Sequence, residues 1–336
     1  MADGTSRSET AIDEELVQRI AGLSEGRASG LKLREGTLSL VLEVGGLDEK
    51  TREALGERIK RAAELFPDVD HVRIAMTAEK SARPLIVAVG SGKGGVGKST
   101  LAANLAVALH RMGKRVGMVD ADIYGPSLPR LLASEGVKPQ AEGNRLIPVP
   151  NEHGIPMLSM GHLAKPGQAI AWRGPMAGNA LGQLVDADWQ GTELLVVDLP
   201  PGTGDVQLTM IQKYKPVGAI IISTPQDLAL IDAARAVSFF EQAQVPIIGM
   251  VENMAGYVCP HCGEVSDPFG VGGAEARAGD MGLSFLGRVP LDMSIRIASD
   301  AGAPPATGDT ASAQPFLAIA DRVSRWLDNR TGSRLG

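Results

Sequence analysis

The sequence is short of cysteine, of basic charge and of long apolar runs, and each shortage limits what the protein can be. It has two cysteines among 336 residues, too few for the disulfide framework of a small secreted domain. Its formal net charge is −6, so a basic surface that binds nucleic acid non-specifically is not expected. It has no run of about 18 apolar residues and no apolar leader, which predicts no membrane-spanning segment. We therefore expect a cytoplasmic protein with neither a membrane nor a nucleic acid as its partner.

The composition suits one sizeable α/β domain and something smaller, since 44 % of the residues are hydrophobic and 21 % are charged. Residues 1–80 predict a small α+β domain with the order helix, strand, helix and strand, at 11–23, 31–44, 47–66 and 71–76. A polar stretch at 78–84 that ends in proline is typical of a linker.

The second domain, residues 81–336, alternates apolar strands with helices, which predicts a doubly wound, mainly parallel sheet. The predicted strands are 85–89, 115–122, 155–160, 194–199, 217–223, 245–251 and 285–289, and the helices that follow some of them include 206–214, 228–243, 272–281 and 311–329. In such a fold, ligands bind at the carboxyl ends of the strands.

One glycine-rich loop separates the first of these strands from a helical pattern. Residues 92–99 read Gly-Lys-Gly-Gly-Val-Gly-Lys-Ser, which fits the G-x-x-x-x-G-K-[ST] pattern of a phosphate-binding loop. Lys98 is expected to reach the β- and γ-phosphates, and the Ser99 hydroxyl to bind Mg²⁺. A plain glycine-rich turn is the alternative. The residues predicted to bind ATP here are Gly92, Lys93, Gly94, Gly95, Val96, Gly97, Lys98, Ser99 and Thr100.

The loop carries a second lysine, Lys93, directly after its first glycine. With it, the run Gly-Lys-Gly-Gly-Val-Gly-Lys-Ser-Thr resembles the deviant phosphate loop of the nitrogenase iron protein, MinD and ParA class of dimeric ATPases. The resemblance implies a P-loop ATPase in which Lys93 crosses a homodimer to the partner's nucleotide, where a cation stabilises charge on the transferring phosphoryl group. A solvated loop charge is the alternative for Lys93.

Polar residues follow the ends of other strands. Asp198 ends an apolar strand, as the acid on the Mg²⁺ side of a phosphate-loop ATPase does. By resemblance to the same class, Asp122 orients the attacking water and Asn253 hydrogen-bonds adenine. The two aspartates and the two loop lysines form the predicted catalytic set. Capping of a loop turn is the alternative for Asp122, and Asp205 is equally well read as the N-cap of the next helix.

Both cysteines lie in one motif, Cys259-Pro260-His261-Cys262. Two thiolates can bind one soft metal, but a stable tetrahedral thiolate site needs four ligands, which two chains related by a two-fold axis would supply. A bridging [4Fe–4S] cluster fits this count. A bridging zinc, a thioredoxin-like redox pair and a plain loop are the alternatives.

The placement of this cysteine motif resembles that in the Mrp/ApbC iron–sulfur carriers. Two further runs are similar to that group, namely Asp-Leu-Pro-Pro-Gly-Thr-Gly-Asp at 198–205 and Trp-Arg-Gly-Pro-Met at 172–176. The resemblance implies a homodimer that hydrolyses ATP with Mg²⁺, receives a [4Fe–4S] cluster from assembly scaffolds and passes it to apo-proteins. A positioning or partitioning ATPase like MinD or ParA is the alternative, which the cysteine motif and the acidic charge disfavour. Residues 1–80 resemble the small domain of the Mrp/ApbC group only loosely, so we predict an accessory domain without chemistry.

Overall fold

The computed structural model describes residues 12–77 except 46 and 48, residues 83–163 except 144, and residues 175–332. The predicted linker at 78–84 and the motif at 172–176 lie largely outside these residues. The chain forms two compact units, residues 1–83 and 84–336, and each is described by itself.

The N-terminal unit packs two helices against a three-stranded sheet. Its elements are α1 (Glu14–Ser24), β1 (Ala28–Arg34), β2 (Thr37–Glu43), α2 (Glu49–Ala63) and β3 (His71–Thr77). The sheet order is β1-β2-β3, with β1 antiparallel and β3 parallel to β2. Alternate residues of β2 supply its core, where Leu38, Leu40 and Leu42 are buried against Leu16 and Ile59 of the helices.

The predicted single strand at 31–44 is wrong, because the structure has a hairpin there. The turn is the pair Glu35 and Gly36, with φ of +49° and +73°. Positive φ at both central residues matches the right-handed twist of the flanking strands, so the chain reverses within two residues. Residues on either side pair across the turn, Arg34 with Thr37.

The larger unit contains an eight-stranded sheet and a separate two-stranded hairpin. Its strands are β4 (Leu85–Ser91), β5 (Val116–Asp120), β6 (Gln140–Glu142), β7 (Arg145–Ile147), β8 (Met157–Ser159), β9 (Leu194–Asp198), β10 (Gly218–Ser223), β11 (Ile247–Val258), β12 (Val265–Ser266) and β13 (Phe285–Leu291). The sheet order is β12-β11-β10-β4-β9-β5-β8, with β13 also beside β11. Every pairing in this sheet is parallel except that of β11 with β12.

Helices cover both faces of the sheet. They are α3 (Lys98–Arg111), α4 (Leu128–Leu131), α5 (Met160–Leu163), α6 (Pro175–Val185), α7 (Asp205–Thr209), α8 (Asp227–Gln242), α9 (Gly273–Asp280), α10 (Met293–Asp300) and α11 (Gln314–Gly332). One core contains α3 and α11, and the opposite core contains α6 and α8. This arrangement confirms the predicted fold class.

The helix α3 is buried on nearly all sides, from Leu101 to Leu109. On its outer side it packs against α11, whose Phe316, Ile319, Ala320 and Val323 are at most 1 % exposed. Asn104 Oδ1 accepts a hydrogen bond from the backbone N–H of Ala306 at 2.9 Å. None of the helices that the structure describes is long and apolar enough to span a membrane.

Two further elements differ from the sequence-based prediction. The strand predicted to end at 251 continues as β11 to Val258, because its far end pairs with β12 on one side and with β13 on the other. The helix predicted at 206–214 is α7 followed by one π-helical turn, Met210–Tyr214. The short hairpin β6–β7 and the helix α10 were not predicted.

Candidate nucleotide site and cysteine hairpin

The glycine-rich loop lies at the centre of the larger sheet. Its strand, β4, runs between β9 and β10, and the helix after the loop begins at Lys98, with Gly97 as its N-cap. The N–H groups of the first turn of a helix have no partner within the helix, and the helix dipole is positive there. An anion at the carboxyl end of β4 would therefore meet both the loop backbone and the start of α3.

Lys98 contacts both predicted aspartates. Its Nζ lies 2.6 Å from Oδ1 of Asp198 and 3.7 Å from Oδ2 of Asp122. All three side chains are largely buried, and Asp198 is fully so. The structure thus brings together the lysine and the two acids that the sequence named. Lys98 lies after β4, Asp122 lies two residues after β5, and Asp198 is the last residue of β9.

One carboxylate oxygen of Asp198 is available to bind a metal ion. Its Oδ2 is buried and has no hydrogen-bond partner among the residues that the structure describes. Burial raises its pKa, and the charge of Lys98 and hydrogen bonds from Lys98 and Ser99 oppose that rise. A free carboxylate oxygen beside a serine hydroxyl is a donor set that suits Mg²⁺, which prefers hard oxygen ligands.

A third acid, Asp120, was not assigned a role from the sequence. It is fully buried at the end of β5. Its Oδ1 accepts the backbone N–H of Asp122, and its Oδ2 accepts the N–H of Leu128 and the Ser159 hydroxyl, all at 3.0–3.1 Å. Burial, and next the charge of Asp198, raise its pKa to about 7. Its place as the last residue of a buried strand was the available signal, since Asp198 has the same place on β9.

Asp122 has two kinds of contact. Its Oδ1 accepts the backbone N–H groups of Tyr124 and Gly125 at 3.1 and 3.2 Å, the loop-capping role given above as the alternative. Its Oδ2 faces Lys98. The cap therefore fixes a carboxylate whose second oxygen points to the candidate phosphate site, and the two interpretations are compatible.

The loop after Asp198 is held by Gln207, which the sequence did not single out. Its Nε2 donates to the carbonyls of Pro200, Pro201 and Gly202, and its Oε1 accepts the N–H of Gly204. The N-cap of α7 is Gly204, and Asp205 is the first helical residue. The interpretation of Asp205 as the N-cap is therefore wrong by one position, because the Gln207 amide caps the helix in place of an acidic side chain.

Lys93 and Asn253 are two further residues predicted to act at the phosphate loop. Lys93 is half-buried and forms no ion pair with the described part of the chain, so its charge is available to another group. Asn253 Nδ2 donates to the backbone carbonyl of Val96 at 2.8 Å. Asn253 therefore contacts the phosphate loop directly.

The cysteine motif forms the tip of a hairpin between β11 and β12. Tyr257 and Val258 pair with Ser266 and Val265, and the N–H of Cys259 donates to the carbonyl of Glu264 at 2.9 Å. Hydrogen bonds to the sulfur from the backbone N–H groups of Cys262 and His261, and from the Cys262 thiol, lower the pKa of Cys259.

This hairpin presents two thiols of one chain side by side. Cys259 is half-buried and Cys262 is exposed. The described residues contain no cluster of three or more His, Cys, Asp or Glu side chains placed to hold a metal. The hairpin therefore offers two thiols of one chain as possible metal ligands.

A sequence profile described as a NUBPL iron-transfer P-loop NTPase matches residues 84–324. The chain belongs to the iron-transfer P-loop NTPase family. The predicted resemblance to iron–sulfur carriers of the P-loop class is confirmed, and so is the prediction that the protein is a nucleoside-triphosphate hydrolase of this class.

Relatives of known name agree with this assignment. An iron-sulfur cluster carrier protein of Deinococcus radiodurans is 42 % identical over 301 residues, which are 88 % of this chain and 81 % of the relative. An iron-sulfur cluster carrier protein of Haemophilus influenzae is 45 % identical over 245 residues, which are 72 % of this chain and only 66 % of the relative. The Deinococcus match is longer than the larger unit and so includes part of the N-terminal unit.

A solved structure is similar to the larger unit. The nucleotide-binding protein of Archaeoglobus fulgidus, in complex with ADP and with cobalt found in it, superposes with a TM-score of 0.58 at 39 % identity. The match covers 65 % of this chain and 86 % of that protein. The family's nucleotide-binding fold is thus the fold that positions Lys98, Asp122 and Asp198 here.

Proposed function

We propose that this chain is an ATP-hydrolysing iron–sulfur cluster carrier, which holds one [4Fe–4S] cluster between the cysteines of two copies and passes it to apo-proteins. The observation that carries the proposal is the Cys259–Cys262 hairpin, which presents one half-buried and one exposed thiol in a chain of the iron-transfer NTPase family. Thiols kept free for a cluster require a reducing compartment, for which the cytoplasm is our proposal.

ATP would bind with its phosphates in the loop at 92–97 and at the start of α3. The phosphates then replace Asp198 as the main partner of Lys98, which frees the Asp198 carboxylate. Asp198 and the Ser99 hydroxyl would hold Mg²⁺, whose charge neutralises the β- and γ-phosphate oxygens. Asp122, fixed by its own loop, would orient the attacking water.

The half-buried, unpaired Lys93 supports a role between two copies of the chain. A lysine that served only its own site would be expected to contact Asp122 or Asp198, as Lys98 does. We propose that Lys93 reaches the nucleotide of a second copy, where it stabilises the charge that develops on the transferring phosphoryl group. The same pairing of copies brings two cysteine hairpins to one axis.

The cluster is the cargo of this reaction. A cubane cluster needs four thiolates, and one chain has two cysteines in all. Backbone N–H groups that point at the Cys259 sulfur stabilise the thiolate form, which is the form that binds iron. The N-terminal unit, residues 1–83, has its own core and is proposed to be an accessory domain.

Anaerobic reconstitution with ferrous iron and sulfide tests the proposal. We expect about four irons per dimer, with the absorbance of a cubane cluster. Cys259→Ser and Cys262→Ser should each abolish stable cluster binding while ATP binding persists. His261→Ala is the matched control on the same hairpin, and it should retain the cluster because four cysteines complete the ligand set.

Four outcomes would overturn this proposal. A cluster that forms in either serine variant, or on a proven monomer, contradicts the bridging arrangement. One zinc per dimer, with no cluster obtainable under anaerobic conditions, would make the site structural zinc instead. Nucleotide binding without any iron would favour the positioning ATPase.

A further inference from the structure

One strand, β11, connects the nucleotide site with the cysteine hairpin. At its inner part, Asn253 donates to the carbonyl of Val96 in the phosphate loop. It also packs directly on Gly97, where a Cβ would lie 2.0 Å from the Asn253 Nδ2. Cys259 follows six residues later in the sequence, directly after the last residue of this strand. The backbone between these two residues spans at most about 20 Å.

The strand is irregular between these two points. Asn253 pairs with Val289 and Tyr257 pairs with Leu291, so four steps along β11 face two steps along β13. The residue between the two partners is Pro290, which has no N–H to donate to the ladder. The extra residues of β11 form a bulge in which Met254 and Gly256 have φ of +58° and +76°. A positive φ is rare for a methionine.

The two sides of this bulge are held very differently. Before it, Glu252 is fully buried, and its carboxylate accepts the N–H groups of Gly272 and Ala274 and the Nε of Arg288. After it, the hairpin has little cover, with Val258 and Val265 58 % and 66 % exposed. The inner part of β11 is therefore anchored on buried groups, whereas the outer part is held by the exposed hairpin with β12 and by the pairing of Tyr257 with Leu291, so it changes its angle at the bulge more easily.

We propose that Asn253 is a positioning residue that transmits the state of the phosphate loop through the β11 bulge to Cys259 and Cys262. A bound phosphate holds the loop backbone, including Val96. The Asn253 side chain moves with Val96 because its amide donates a hydrogen bond to the Val96 carbonyl. The bulge turns that displacement into a change in how the hairpin presents its thiols. The inference rests on the proposed function in one respect, namely that these thiols hold the cargo.

The two cysteines are the only thiols in the chain, so alkylation of the apo-protein by iodoacetamide reports on the hairpin alone. Allosteric couplings correspond to changes of about fivefold or more. We expect a change of that size in the wild-type alkylation rate between nucleotide-free protein and protein saturated with a non-hydrolysable ATP analogue and Mg²⁺. Asn253→Asp has the same shape but no donor for Val96, and the change should fall below about twofold.

A second variant tests the bulge without altering the nucleotide site. Met254→Gly permits many backbone angles at the bulge, so it should also abolish the change in rate. Gln244→Gly is its matched control, because Gln244 has the same φ of +58° in the loop before β11, away from the hairpin. The control should behave as the wild type does.

Rates are measured at two protein concentrations, because shielding of the thiols by dimer formation would grow with concentration and a change transmitted within one chain would not. The proposal fails if nucleotide leaves the wild-type rate unchanged, if the change follows concentration alone, or if Met254→Gly retains it. Iron is absent throughout, so a failure here is distinguishable from a failure to bind the cluster.

Discussion

Gly92 is the loop glycine whose replacement should be most damaging, for a reason unrelated to phosphate. A Cβ on Gly92 would lie 2.1 Å from the carbonyl carbon and oxygen of Asp232 and 2.6 Å from the N of Ala233. These are backbone atoms of α8, so no side-chain rotation relieves the overlap. Non-bonded carbon atoms need about 3.5 Å between them. Gly92→Ala would therefore displace the helix or the loop by about 1.4 Å.

The loss can be estimated from the costs of overpacking. Forcing extra methylene groups into a packed site costs about 1–3 kcal/mol, and contact with rigid backbone places Gly92→Ala at about 3 kcal/mol or more. Gly95→Ala meets nothing within 4 Å but has φ of +77°, so it should lose about 1–2 kcal/mol. Gly94→Ala would have its Cβ 3.8 Å from Pro201, an ordinary contact, and should stay within about 0.5 kcal/mol of wild type.

Urea unfolding without nucleotide measures these differences. Tryptophan fluorescence is a suitable signal, since all three tryptophans lie within residues 84–336. The decisive result is the order of the three variants in the absence of any ligand. If Gly92→Ala is as stable as Gly94→Ala, the close approach to α8 is not what requires a glycine there, and the reasoning is refuted.

Four further expectations concern the polar residues of the site. Lys98→Ala should abolish ATP hydrolysis and lower stability by about 3–5 kcal/mol, because it leaves the buried Asp198 carboxylate unpaired. Lys93→Ala should lose turnover but keep nucleotide affinity and stability; wild-type turnover in this variant would exclude the role between copies. Asp122→Asn should lower turnover more than affinity, as titration calorimetry with steady-state rates can decide. Burial and Asp198 raise the Asp120 pKa to about 7, so the folded state binds this proton more tightly than the unfolded state does. Its stabilising effect is complete below about pH 4 and disappears by about pH 7, amounting to at most about 4 kcal/mol. Urea midpoints over this range should fall less in Asp120→Asn than in the wild type.

The sheet and the phosphate loop could be predicted because their signals are local. A β-branched run followed by Gly92 and a helical pattern needs no knowledge of distant residues. The β1–β2 hairpin was missed because Glu35–Gly36 is a weak turn signal within an apolar stretch. The length of β11 depends on pairing with β12, a contact that the sequence pattern near 251 does not encode.

The missed site residues share a different cause. Asp120 and Gln207 act through burial and through hydrogen bonds to backbone groups, and both properties come from tertiary packing. The sequence offered Asp120 and Asp122 as neighbours in one short run, and the family resemblance favoured the second. Gly92 was assigned to phosphate access, although the atoms nearest to it belong to α8.

The partnership of α3 with α11 has a consequence for how the protein is made. The hydrogen bond between Asn104 and Ala306 joins residues 202 positions apart, and α11 follows later still. At a synthesis rate of about 5–20 residues per second, the apolar outer side of α3 waits for roughly 10–40 s before its cover emerges from the ribosome. During that interval the nascent chain has its phosphate loop but not the packing that holds the loop's helix.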